Sequence, residues 1–247
     1  MFKIWKKYNG LMLEDFDGVY RTSIFGFENL ESECRKSFPI ADVGACFGYV
    51  GLGHIGVQVG NFISTILAGQ FFSTRSGCVL HFPDNKFACI INRAHNFFGY
   101  PIIGGPIEEK GRLKYIDTCS DTLLIGPPTK GDPCFNHLHF PRCVDQTMHV
   151  HPSLRSGMIA RGRGVCITPD NEYQLISGCI FSIPKDTQHK FRTESDTMDV
   201  IAFHPDSDWG PTHENHPMIN RTWVNGEKMD NSRGIHATAE YMVGRYK

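Results

Sequence analysis

The sequence has no long apolar run, no C-x-x-C pair, no excess of either charge and no nucleotide-type glycine loop, and each absence removes a class of function. The nearest approach to a membrane span, residues 47–69, carries a histidine, a glutamine, an asparagine and six glycines. It reads as a buried strand pair, and no membrane association is expected. Lysine and arginine number 25 against 26 aspartates and glutamates, with a pI near 6.9. That balance offers no basic face to nucleic acid, which is not an expected partner. Nine cysteines make an odd number with no paired spacing, and the first residues show no apolar signal core or cleavage site. Reduced thiols and a cytoplasmic location follow as expectations. No G-x-S-x-G elbow is present, and Cys134, Cys143 and Cys166 have no recognisable partner motif, so they read as buried thiols rather than nucleophiles.

What is present is a chain of short strands. Twenty-five glycines and 14 prolines spread along 247 residues leave little room for long helices. Residues 29–38 make the best short helix. From Gly44 to Ile125 β-branched and aromatic runs alternate with turns such as "PDNK" and "EEKGR". After Pro127-Pro128 strands recur at regular spacing: "CFNHLHF", "QTMHVH", "RSGMIARG", "GVCITP", "EYQLIS", "CIFSIP", "HKFRT" and "TMDVIAFH". This is the pattern of an all-β sandwich or barrel. Residues 205–247 are polar, and are expected to pack on the barrel as a lid or an intersubunit arm, with Trp209 against apolar surface.

Eight of the 12 histidines lie between His137 and His216. In a strand, residues two apart share a face, so His149 and His151 stand side by side at a metal-ligand span. A third ligand must come from elsewhere. His189 follows a strand that ends at Pro184 and a turn through Lys185-Asp186-Thr187. A second H-x-H pair, His137 and His139, lies on the strand before, and reads as acid-base groups lining the pocket or as ordinary hydrogen-bonded histidines.

These residues resemble the cupins. The family's first motif, G-x5-H-x-H-x3,4-E-x6-G, aligns on Cys143, His149, His151, Arg155 and Gly162. Its second, G-x5-P-x-G-x2-H-x3-N, aligns on Gly178, Pro184, Asp186, His189 and Thr193. Cys143 replaces the opening glycine, an exchange expected to cost little at a strand start. Arg155 replaces the glutamate, and a guanidinium cannot ligate a metal. The resemblance covers about residues 123–204.

It implies a cupin-type β-barrel, a double-stranded β-helix or jelly roll, over 123–204. Residues 1–122 form a strand-rich extension or a degenerate, metal-free second barrel, and 205–247 a polar tail. It further implies metal ligation by His149, His151 and His189, with iron(II) expected and zinc, manganese, nickel or copper as competitors. An all-histidine centre is found among cupin oxygenases, so the expected activity is a mononuclear iron oxygenase. Its partners would be dioxygen and a small, metal-chelating, carboxylate-bearing substrate. Arg155 would clamp the carboxylate, or pair with an acid such as Asp145; Arg161 shares its strand parity. Asp145 and Thr147, and Phe191 and Thr193, are expected along the same wall by parity. His204, His213 and His216 are conceivable extra ligands. The rival readings are a redox-neutral metal-dependent isomerase, lyase or hydrolase using His137 or His139, and a ligand-binding module without turnover. A homodimer through exposed sheet edges is expected.

Overall fold

The computed structural model describes residues 1–29, 36–83 and 85–206, and the backbone of two short strands, Trp223–Val224 and Glu227–Lys228. Among the described residues one 3-10 turn, Ile116–Thr118, is the only helical element, and everything else regular is strand. The helix expected over 29–38 falls mostly outside the described residues; Asn29 closes the strand Thr22–Asn29 and Phe38 lies in Ser37–Ile40.

The second half of the chain, joined by one strand from the N-terminus, forms a nine-stranded antiparallel sheet. Its order is Lys3–Trp5, Ile180–Ile183, Arg155–Ile167, Met198–His204, Cys134–Phe140, Ser120–Ile125 and Leu113–Lys114. Two further strands, Glu172–Ile176 and Lys190–Arg192, pair with the far end of Arg155–Ile167. The segments "RSGMIARG" and "GVCITP", expected as separate strands, are one strand of 13 residues. The strand serves two leaves because it bends at Gly162. There φ is 73°, a left-handed value, and a β-carbon would strike the Thr197 carbonyl. The leaves do not close into a continuous barrel; the architecture is all-β and of cupin type.

The first half repeats the same pairing scheme. A six-stranded sheet runs Ile102–Gly104, Phe71–Ser73, Ala45–Leu52, Phe87–Ala94, Thr22–Asn29 and Asn9–Asp15, and a four-stranded sheet runs Ser37–Ile40, Cys78–His81, His54–Val59 and Phe62–Leu67. Most pairings in one half have a counterpart in the other, Leu113–Lys114 with Ser120–Ile125 being an exception. His54–Val59 pairs with Phe62–Leu67 and Cys78–His81 as the far end of Arg155–Ile167 pairs with Glu172–Ile176 and Lys190–Arg192.

Three apolar cores follow from these sheets. Phe27, Ile55, Leu80 and Phe87 fill the first half; Phe140, Phe181, Phe191 and Val200 fill the second. A third core, including Phe47, Met158, Ile201 and Phe203, lies between the two large sheets. The central strands are therefore buried on both faces. On Met198–His204, Met198, Val200 and Ala202 face the inside of their own half while Ile201 and Phe203 face the other half. That double burial explains why these strands read as near-continuous apolar runs rather than as clean alternation.

Candidate metal centre

The histidine segment is not a regular strand. Between Phe140 and Arg155 only two isolated bridges occur, Asp145 with Arg192 and His149 with His189. The second sets the site. His149 N–H donates to His189 O at 3.0 Å and His189 N–H to His149 O at 2.9 Å. In an antiparallel pair residues that exchange both bonds stand directly opposite, with side chains on one face. The His151 carbonyl accepts from Asp186 N–H at 2.9 Å, which ties the H-x-H segment to the turn before His189. Asp186 has φ 57°, and aspartate tolerates this left-handed value at the motif's glycine place.

The three rings converge. Centroids lie 5.0 Å apart for His149 and His151, 4.5 Å for His149 and His189, and 5.1 Å for His151 and His189. One ring nitrogen from each falls within 4.8 Å of the others. Two tautomers are fixed by the backbone: His149 Nδ1–H donates to Thr147 O, and His189 Nδ1–H to Thr187 O, each at 2.8 Å. Both rings therefore present an Nε2 lone pair, and buried His189 Nε2 has no hydrogen-bond partner. Burial, then the neighbouring His149 and Arg155, hold His189 neutral down to a pKa of about 3. Burial, followed by Arg155 and the other two rings, pushes His151 well below the ordinary imidazole range. Neutral imidazoles with one nitrogen tied to a carbonyl and the other aimed at a common point are the form in which histidine ligates a metal. The donor set fits a divalent transition ion.

These rings line a cavity of about 30 Å³, room for an ion with a water or two. Its walls include Arg155, Gln146, His204 and the apolar Leu138, Phe140 and Phe191. Arg155 is buried, and its Nη1 donates to Ser153 O at 3.3 Å, Ser153 Oγ at 2.6 Å and Leu154 O at 2.9 Å. Ser153 Oγ in turn donates to Asp206. Asp145, the acid considered for Arg155, instead pairs with Lys190 at 2.7 Å.

Other expected positions fall elsewhere. Gln146, not Asp145 or Thr147, joins the wall, because parity counting needs a regular strand and residues 141–154 do not form one. Phe191 joins it, whereas Thr193 accepts from Val144 N–H at 3.1 Å and donates to Pro141 O, closing the loop. Arg161 does not share the Arg155 face. A register shift between Ile159 and Arg161 turns it over, and its Nε donates to Asp199 Oδ2 at 2.9 Å.

His137 and His139 also lie on that other face. Leu138 and Phe140 of the same strand line the histidine cavity, so their odd-numbered neighbours point away from it. Both bond to Asp199 Oδ1, at 2.8 and 2.9 Å. The structure does not bring them to the triad. His204 it does bring: Met198, Val200, Ala202 and His204 alternate inward, a signal the strand pattern already carried. His213 and His216 lie outside the described residues. Cys134 and Cys166 are buried, but Cys143, expected to be, is exposed on a turn.

The first half holds no such centre among its described residues. Two residues before Phe191 stands His189, opposite His149; two before Leu80, the matching residue of the first half, stands Cys78, opposite Ile40. Ile40 and Cys78 belong to the apolar core there, so the rung that carries two imidazoles in one half is closed by packing in the other.

No family model matches the sequence, and no curated protein does. Solved structures match the fold. A cupin 2 conserved barrel domain protein from Leptotrichia buccalis is 13% identical, over 82% of this chain and 92% of that one, with a TM-score of 0.57. A putative glyoxylate induced protein from Pseudomonas aeruginosa is 11% identical, over 85% and 82%, with a TM-score of 0.60. A salicylate 1,2-dioxygenase from Pseudaminobacter salicylatoxidans is 12% identical, over 75% and 71%, with a TM-score of 0.56. A mutant of the latter has been solved in complex with gentisate.

Proposed function

We propose that this chain, built on the cupin-type fold, is a mononuclear metal-dependent oxygenase with His149, His151 and His189 as ligands of iron(II), acting with dioxygen on a small carboxylate-bearing chelating molecule. The observation that carries the reading is the convergence of three imidazoles, with nitrogens within 4.8 Å, on a cavity that contains a cation, Arg155, where the family motif has a carboxylate. Iron(II) on one face of three imidazoles would supply adjacent open positions for a chelating substrate and dioxygen. Zinc, manganese, nickel and copper are the alternatives for the same donors. A dioxygenase among the structural neighbours supports the oxygenase side of the reading.

The chain's own residues have separate tasks. Thr147 and Thr187 carbonyls hold two rings in the tautomer that presents Nε2 inward. Arg155 orients the substrate carboxylate through its planar fork. Leu138, Phe140, Phe181 and Phe191 exclude water from the reacting face. A cavity of about 30 Å³ does not hold an aromatic acid as it stands, so substrate enters by displacing wall side chains at its mouth. We further assign the chain to a reducing compartment, in keeping with eight free cysteines among the described residues. It pairs as a homodimer through the edge strand Phe62–Leu67, whose Phe62 and Ile63 are exposed.

The test is elemental analysis of anaerobically purified protein, followed by oxygen uptake with a panel of small aromatic and aliphatic carboxylates. His149→Ala and His189→Ala are expected to lose the iron while the far-ultraviolet circular dichroism keeps its β signature. Full metal retention in both rejects these ligands. Turnover of a carboxylate without oxygen consumption replaces the oxygenase with a redox-neutral enzyme. Arg155→Lys should raise KM at least tenfold at unchanged metal content, and an unchanged KM removes the clamp.

A further inference from the structure

The segment that carries His149 has only isolated bridges of its own, so side chains from elsewhere help to fix it. One source is the turn Tyr115–Cys119, closed by Tyr115 N–H to Cys119 O at 2.9 Å and by Cys119 N–H to Ile116 O at 3.1 Å. Two adjacent residues of this turn, Asp117 with φ 50° and Thr118 with φ 70°, stand in the left-handed region. Neither is glycine, and a β-branched residue there is a genuine outlier. Such strain persists only where the surrounding contacts over-determine it, and it gathers at functional sites.

The turn reaches the histidine centre at three points. Tyr115 lines the cavity. The Cys119 thiol accepts from Gln146 Nε2 at 3.5 Å, while Gln146 Oε1 accepts from Phe191 N–H at 3.2 Å. The third contact is the shortest: the carboxylate of buried Asp117 accepts from Thr147 N–H at 2.6 Å. Bonds of this kind to a carboxylate are among the stronger ones. Thr147 is the residue whose carbonyl takes His149 Nδ1–H at 2.8 Å. Holding the Thr147 N–H therefore fixes the place from which that carbonyl meets the ring. His189 is held by Thr187 in the same manner, but Thr187 belongs to the adjoining turn, with its N–H on Pro184 O at 3.3 Å. His149 instead borrows its anchor from a side chain 30 residues away.

We propose that Asp117 is a positioning residue of the metal centre: by holding Thr147 it keeps the His149 ring in the orientation that aims Nε2 at the shared ion. The inference rests on His149 being a ligand, as proposed above.

Two variants separate this role from mere shaping of the turn. Asp117→Gly adopts the left-handed backbone without strain and loses the acceptor. Asp117→Asn keeps both, because asparagine tolerates that conformation and its Oδ1 accepts. Iron(II) is titrated anaerobically into the full-length metal-free protein against a colorimetric chelator, and histidine ring ¹⁵N spectra of the metal-free protein are recorded in parallel. Asp117→Gly should weaken iron(II) binding about tenfold, and should move the His149 Nδ1 resonance while leaving that of His189 in place. Asp117→Asn should restore both the affinity and the His149 resonance of the parent. Parental affinity with an unchanged His149 resonance in Asp117→Gly overturns the proposal. So does an equal shift at His189, which would mean a general loosening, or an equal loss in Asp117→Asn, which would assign the effect to charge alone. A parent protein that binds no iron(II) overturns the ligand assignment and this proposal with it, and the parent titration tells that result from the others.

Discussion

Cys143 occupies a place where the family motif has glycine, and the structure shows why: its φ is 59°, in the left-handed region. The expectation that the exchange costs little at a strand start does not hold, since the residue lies on a turn whose N–H bonds Glu194 O at 2.9 Å. A side chain in that region costs about 1–2 kcal/mol, partly offset by the greater chain entropy of glycine. Cys143→Gly should therefore stabilise the protein by about 0.5–1 kcal/mol, read as a higher urea midpoint; a lower one contradicts the strain. The triad predicts a pH dependence. His189 falls from 6.5 to about 3 in the folded chain, and His151 falls well below 6.5, burial being the first cause of both. The unfolded chain takes up these protons first. Stability of the metal-free protein is thus whole above about pH 6.5 and declines as pH falls from there toward 3. Urea midpoints at pH 7.5 and 5.0 should differ in that direction, and the difference should shrink in His189→Leu.

At the scale of elements, Gly162 joins the two leaves of the 13-residue strand. Gly162→Ala adds a left-handed side chain that meets the Thr197 carbonyl, so a loss of about 1–3 kcal/mol is expected from chemical denaturation. A neutral result would show that the corner relaxes. The same element shows where sequence patterns work. Alternation places Arg155 on the cavity wall and would have placed His204 there too, because both stand on regular pairing. It misplaces Arg161, where a bulge shifts the register, and Asp145, where only isolated bridges remain. Period two is a property of the pleat, and it ends wherever the pleat does.

At the scale of the molecule, the halves share a core. Phe47 of the first packs against Phe135 and Phe203 of the second, with ring centroids 6.4 and 5.2 Å apart. Phe47→Ala should cost about 3–5 kcal/mol, and calorimetry should still show one transition at a lower temperature. Two separated transitions would mean that the halves fold independently. The residue types and spacings alone determined an all-β chain, a cupin-like pair of motifs and the identity of three converging histidines, because turn-forming residues and ligand chemistry are local properties. Only the tertiary structure decided that the first half repeats the pairing scheme with Ile40 and Cys78 in place of imidazoles, and that His137 and His139 face away from the triad. Those outcomes depend on which strand lies beside which and on which face each bulge turns outward, and such long-range pairing leaves no mark on the residues nearby.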